Sequence, residues 1–378
     1  MVKPASLDSE KVFAHVRQLA AFGPRLAGSP GDERAGRYIL EELRNLGFQP
    51  REDVFPIVTG SVVECCLAIE GAEMPFLDAA PMQLTASTGA GGVAGPIAWV
   101  GRPGADDIGP ALAGKMVVWA VKSRTQFLTI YPAIAAQSPA AIIAVWPTVG
   151  ILPKHQQLPE ALARKGDGIP TVCIRYEDGA RLWRETPARL RLVLLSHRRE
   201  SVSSNIFAEI PGTSKDAGIV LVGAHRDTAP NVSGAIDNAS GVAILLELAR
   251  AFADSPMKPT LQFVVWGAEK AGMAGSRHAI SHMSQSELDR LICTISIDGV
   301  GSWGAVDHCC IAGSEAIANR TRDLYGSSAI DVSQGYFGSD SEMFAMHGVP
   351  GFSFGQIGPA LGLLHTTNDE LAMIDPDA

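Results

Sequence analysis

Apolar residues recur at helical spacing across residues 7–47. Leu7, Val12, Val16 and Leu19 mark one amphipathic helix, and Tyr38, Leu40, Leu43 and Leu46 mark a second. Between them, FGPRLAGSPGDE is a Gly/Pro-rich turn that ends in a helix start, and REDVFPIV then alternates like a strand. From about Pro81 to Leu195 the texture changes to short apolar strands (GPIAWVG, KMVVWAV, AAIIAVW, IPTVCIR) with one Ala-rich helix, IYPAIAAQSPA. This stretch, residues 81–195, is expected to be a small β-rich module inserted into a larger domain formed by residues 1–80 and 196–378. After SVSSNIFAEIPG, near-continuous apolar strands (AGIVLVGAH, TLQFVVWGAE) alternate with helices such as GVAILLELARAFA, and SELDRLICTISIDGVG feeds a helix into another strand. Apolar runs separated by helices predict an α/β fold with a mixed, largely parallel sheet covered by helices on both faces.

Composition narrows the function classes. With 378 residues, 46% of them hydrophobic, the chain can bury two compact units, or one core with a sizeable insertion. The net charge of -9 is spread without a run of like charges, so neither nucleic acid nor an anionic membrane surface is an expected partner. Six cysteines include the adjacent pairs Cys65–Cys66 and Cys309–Cys310 and no Cys-x-x-Cys, a pattern that argues against a disulfide framework or a zinc–thiolate site. No stretch has the apolar length of a signal peptide or a bilayer span, and the expectation is a soluble, cytoplasmic protein. Self-association into a homo-oligomer is left open.

The polar residues of the second half fall where strands end. His225 and Asp227 follow VLVGA, Glu269 follows FVVWGA, and Asp298 follows TISI. Open α/β sheets gather ligands at the carboxyl ends of their strands, so these side chains should meet in one crevice. Asp237, in GAIDNASG, and His365, in LLHTTNDE, are placed to join them from loops. Histidines and carboxylates converging in this way form a nitrogen–oxygen donor set suited to zinc, with manganese and cobalt as compatible alternatives. Asp227 is placed to accept the second N–H of His225 and so fix its tautomer. One acid must stay off the metal as a general base for water. Any one of these residues alone would read as a helix cap or a surface group; the common placement carries the inference.

In these motifs the sequence resembles the co-catalytic zinc exopeptidases of the bacterial leucyl aminopeptidase and glutamate carboxypeptidase type. GAHRDT, DNASGVA, AEKAGMAGS, SIDGVG and HTTNDE stand in that family's order, and the N-terminal HVRQLAAFGPRLAGSPGDERAGRYILEELRNLGF matches its lead-in. The segment 81–195 resembles the protease-associated domain that many members carry. The resemblance implies that Asp237 bridges two metal positions, that His225 and Asp298 complete one, and that His365 belongs to the other. It implies Glu269 as the general base and Asp227 as the partner of His225. It further implies a metallohydrolase acting on small peptide or amide substrates.

One position departs from the family pattern. Where the family has a second acid directly after the base, this chain has Lys270. A protonated ammonium cannot ligate a metal and repels one. The expectation is therefore one ion held by His225, Asp237 and Asp298, a weakened His365-side position, and Lys270 supplying part of the missing charge there or contacting the substrate. Glu342, in GSDSEMF, is a weaker candidate for the missing ligand. An alternative has Lys270 on the surface in a shifted register. Two other functions stay open: a binding protein of the transferrin-receptor type, and a mono-zinc acyltransferase of the glutaminyl-cyclase type. His278, His282, His308 and His347 are expected to be structural, and GAGGVAG lacks the strand–loop–helix frame of a phosphate site.

Overall fold

A computed structural model describes residues 4–72, 76–101, 108–122, 124–147, 158, 168–185, 189–255, 257–326, 328 and 330–376. The chain divides into two compact units, residues 1–57 with 201–378, and residues 58–200. The strands Arg51–Ile69 and Arg189–Ile210 carry the chain from one to the other.

In the first unit the order of strands across the sheet is Asp331–Gln334, Val306–Ala312, Gly351–Ile357, Leu291–Ile297, Ile219–His225, Thr260–Trp266 and the end of Arg189–Ile210. The four neighbours from Gly351–Ile357 to Thr260–Trp266 run parallel to one another. Antiparallel strands, Val306–Ala312 on one side and residues 206–210 on the other, flank that group. This is the mixed, largely parallel sheet that the apolar runs predict. The helices Ser9–Ala21, Pro30–Asn45 and Gly241–Phe252 bury Val16, Leu19, Ile39, Leu43, Leu245 and Leu246 against Val222, Phe263 and Val265. The opposite face of the sheet buries Leu221, Val264 and Trp266 against Ile280, Met343 and Phe344. Strands covered on both faces need no polar alternation, which is why their sequences are continuously apolar.

The two N-terminal helices start at built caps. Asp8 accepts from Glu10 and Lys11 N–H, and Ser29 accepts from Asp32 N–H just before Pro30. Around the site, close backbone approach is purchased with glycine. A Cβ on Gly241 would stand 2.3 Å from both the Ile297 carbonyl and Asn238 Oδ1. Gly241→Ala is therefore expected to push the head of the Gly241–Phe252 helix off the strand that carries Asp298. A loss of about 1–3 kcal/mol in urea denaturation would register the overpacking.

The second unit is a smaller α/β arrangement. Val93–Val100, Met116–Ala120, Ala141–Val145 and Thr171–Ile174 pair in parallel, with Ala79–Pro81 antiparallel to the last. Its core packs Val117, Trp119, Ile142 and Ala144 against Phe127 and Tyr131 of the helix Arg124–Ala135. The GAGGVAG stretch leads into the Val93–Val100 strand. All six cysteines are free thiols. Among the described residues, no helix is long and apolar enough to cross a membrane.

Candidate metal centre

His225, Asp227, Glu269, Lys270 and Asp298 are delivered by strand ends or by the turns that follow them, and Asp237 by the short helical segment Ala235–Ser240. His225 is the last residue of Ile219–His225, and Asp298 comes directly after Leu291–Ile297. Thr260–Trp266 is followed by Gly267 and then Ala268, whose φ of 56° turns the chain sharply before Glu269 and Lys270. A non-glycine residue in the left-handed region is uncommon and costs backbone strain of the kind that gathers at functional sites. His365, with φ 60°, stands on the loop between the short helices Pro359–Gly362 and Leu371–Met373.

These residues converge. His225 Nε2 lies 3.0 Å from Asp237 Oδ1, 3.3 Å from Asp298 Oδ1 and 3.8 Å from Glu269 Oε2. His365 Nε2 lies 2.9 Å from the other oxygen of Asp237, Oδ2. The Lys270 ammonium stands 2.9 Å from Asp237 Oδ1, 2.9 Å from Glu269 Oε2 and 3.4 Å from His225 Nε2. His225, Asp237 and Asp298 thus form a donor set whose ligand atoms lie within reach of a single ion. Lys270 is inside the cluster and not on the surface, with 13% of its side chain exposed.

Burial and mutual charge set the ionisation. Burial works against charge at Lys270, yet the carboxylates of Asp237, Glu269 and Asp298 outweigh it and hold the ammonium charged well above its usual range. Burial likewise opposes ionisation of Asp237, and Lys270 with the two histidines reverses that, keeping its carboxyl well below the ordinary value. At His225, burial and the Lys270 charge favour the neutral ring, but the Asp298 and Glu269 carboxylates prevail and raise its pKa.

The expected role of Asp227 needs a correction in detail. His225 Nδ1 lies 3.0 Å from the main-chain carbonyl of Asp227 but 3.6 Å from its carboxylate, so the backbone is the ring's acceptor. The carboxylate does something else. Its oxygens accept the backbone N–H groups of Glu269 and Lys270, each at 2.9 Å, and so fix the turn that carries both side chains. The ring is still oriented with Nε2 toward the other carboxylates, because a carbonyl serves that purpose as well as an acid.

Residues 205–378 match the profile described as peptidase family M28. Over those residues the chain is similar to peptidase family M28. Aminopeptidase YwaD of Bacillus subtilis (strain 168) is 30% identical over 300 residues, an alignment covering 78% of this chain and 63% of that protein. The chain therefore spans less than two thirds of that relative's length. Among solved structures, an aminopeptidase from Aneurinibacillus sp. strain AM-1 superposes with a TM-score of 0.80 at 24% identity, covering 98% of this chain and 90% of the other. BSAP, a zinc aminopeptidase from Bacillus subtilis, superposes with a TM-score of 0.75 at 24% identity, covering 99% and 92%. At that identity the superpositions speak for the fold.

Within this site, Lys270 does not sit where its sequence position suggested. It pairs with Oδ1 of Asp237, the oxygen facing His225, whereas His365 approaches Oδ2. The ammonium thus crowds the His225 side of the bridge and not the His365 side. The reason is charge: Glu269 and Asp298 both face His225 Nε2, so the densest negative potential lies there. Glu342 does not join the cluster as a replacement ligand; its buried carboxylate accepts the N–H of Gly338 in its own turn.

Several supporting residues escaped the sequence reading. Asp369 accepts the N–H groups of Ile236 at 2.7 Å and Asp237 at 3.1 Å, which holds the backbone that carries Asp237 in place. Burial, with the nearby Asp237 charge, pushes the Asp369 carboxyl up to about 7. Arg25, fully buried, donates to the carbonyls of Leu19, Arg226, Ser233 and Gly234 and so ties down the loop between His225 and Asp237. Burial lowers its pKa to about 10. Asn238 donates to the Ile297 carbonyl and links the Asp237 turn to the Asp298 strand. Asp340 accepts a hydrogen bond from Ser276 at 2.5 Å, and burial together with Glu269 raises its carboxyl well above the usual range.

His278, His282, His308 and His347 make their contacts outside the cluster. His278 stacks on Phe55 and lies 3.6 Å from Asp53, and His282 turns its Nδ1 to the His278 carbonyl. His308 meets Ser333, and His347 meets the Met343 carbonyl.

Proposed function

We propose that this chain is a metal-dependent hydrolase of peptide or amide bonds, an aminopeptidase or a hydrolase of small amides, built around one divalent ion, zinc by preference. The observation that carries this reading is the convergence of His225 Nε2, Asp237 Oδ1 and Asp298 Oδ1 within 3.0 and 3.3 Å at the ends of parallel strands. The donor chemistry fits an ion of this class, one imidazole nitrogen and two carboxylate oxygens. Asp237 Oδ1 and Glu269 Oε2 are buried, and the Lys270 ammonium stands 2.9 Å from each in the place a metal cation would take. Buried carboxylate oxygens are costly unless a cation satisfies them.

An ion so held would make water a better nucleophile and polarise a substrate carbonyl. The remaining work belongs to the protein. Glu269 is the acid left over from the donor set and the one whose backbone Asp227 fixes, which supports its role as the base that takes a proton from the attacking water. His365 holds the outer oxygen of Asp237, and Asp227 holds the Glu269–Lys270 turn. The aminopeptidase names of the relatives support a peptide substrate with a free amine. Lys270, where the family has an acid, disfavours that amine electrostatically and keeps neutral or N-acylated amides in view. On resemblance, the segment 81–195 is assigned as a protease-associated-like insert.

Elemental analysis after zinc reconstitution, alongside a panel of dipeptides, aminoacyl anilides and N-acyl amides, tests this reading. Close to one ion per chain and turnover of at least one class are expected. Two tightly held ions would sink the single-ion site. A loaded protein that binds these compounds without cleaving any would be a binding protein.

A further inference from the structure

On the reading that His225, Asp237 and Asp298 hold an ion, we propose that Lys270 is a built-in competitor for that space: its ammonium closes the triad when no ion is bound, and a divalent cation enters only as Lys270 swings out. The geometry makes the two occupants exclusive. Nζ stands 2.9 Å from Asp237 Oδ1 and 3.4 Å from His225 Nε2, atoms that are themselves 3.0 Å apart. An ion bonds such donors at about 2.0–2.2 Å, which places it in the space next to Nζ. Two cations cannot share so small a buried volume, because their repulsion grows as their separation falls.

The side chain is built to move at its tip and not at its root. The Lys270 N–H is anchored to Asp227 Oδ2 at 2.9 Å, and its neighbour Glu269 is anchored to Oδ1 of the same carboxylate at 2.9 Å. The four-carbon stem beyond is flexible. The side chain also keeps 13% of its surface exposed, which leaves a way toward solvent. Without a cation, Asp237, Glu269 and Asp298 would form a buried cluster of like charge. The ammonium, 2.9 Å from two of their oxygens, supplies the opposite charge from within the chain. The consequence is a fold that does not depend on metal and a site that loads weakly and exchanges readily.

The test uses the full chain stripped with a chelator. Zinc binding is measured by calorimetry for wild type, Lys270→Met and Lys270→Gln. Removing the competitor is expected to tighten zinc binding by about tenfold or more, the scale of breaking a buried ion pair. Stripped Lys270→Met should melt below stripped wild type, with the gap closing once both carry zinc. In wild type, zinc should raise the reductive methylation of Lys270 read by mass spectrometry, a measurement that needs no variant. Affinities within about twofold of wild type in folded variants, weaker binding, or a Lys270 that becomes less reactive with zinc would each overturn the competition. Zinc binding that is absent from wild type and both variants, or indifferent to His225→Ala, would overturn the metal site itself.

Discussion

Glu269→Gln is expected to reduce kcat by about 10²–10⁴ while leaving the fold and zinc content in place. The substitution keeps the shape of the side chain and removes its charge and its capacity to take a proton. Glu269 suits the role by position: Oε2 is buried and lies 3.8 Å from His225 Nε2. The backbone of Glu269 is held by Asp227, so the amide should occupy the same place as the acid. One side effect is foreseeable, since Lys270 loses a partner at 2.9 Å. Thermal melting and zinc titration of the variant separate that effect from catalysis. A variant with near wild-type kcat would remove Glu269 as the base. A variant that no longer holds zinc would move it into the ligand set.

Much of this site was legible because strand ends announce themselves. VLVGAH is an apolar run ended by a single polar residue and TISID a strand ended by an acid, and in a parallel sheet the group at the strand end emerges at the carboxyl edge. The helices Ser9–Ala21 and Pro30–Asn45 were equally legible from apolar spacing and caps. What stayed hidden depends on side-chain direction or on long-range contact. Sequence placed Lys270 next to Glu269 but could not say which oxygen of Asp237 it would face. That choice is made by the potential of Asp298 and Glu269, which reach the site from other strands. Nor could it separate the Asp227 carbonyl from the Asp227 carboxylate as the partner of His225, since both belong to one residue. Asp369 and Arg25 carried no periodic signal. Asp369 reaches back 132 positions to the Asp237 N–H, and Arg25 forward 209 to the Gly234 carbonyl. An arginine in the Gly/Pro turn FGPRLAGS is the one clue that local chemistry offered.

The same principle gives the largest expected loss of stability. Asp32 and Arg226 meet at 2.7 Å with each side chain only 3% exposed. Arg226 lies between His225 and Asp227, and it also donates to the Ser204 carbonyl at 2.5 Å. Asp32 further accepts the Gly28 N–H at 2.9 Å. Burial leaves the Asp32 carboxyl above its ordinary pKa even with Arg226 beside it, so taking this pair out of water is not itself a gain. Asp32→Ala removes the acid and strands a buried guanidinium and a backbone donor. The expected cost is about 3–5 kcal/mol in urea denaturation. Because the stranded charge is the main cause, Asp32→Ala combined with Arg226→Met should recover part of that loss, despite deleting a second set of contacts. If the double variant is less stable than Asp32→Ala alone, the guanidinium bond to Ser204 matters more than the ion pair. In either single variant, zinc affinity should fall with stability, since Arg226 fixes the backbone from which His225 and Asp227 project.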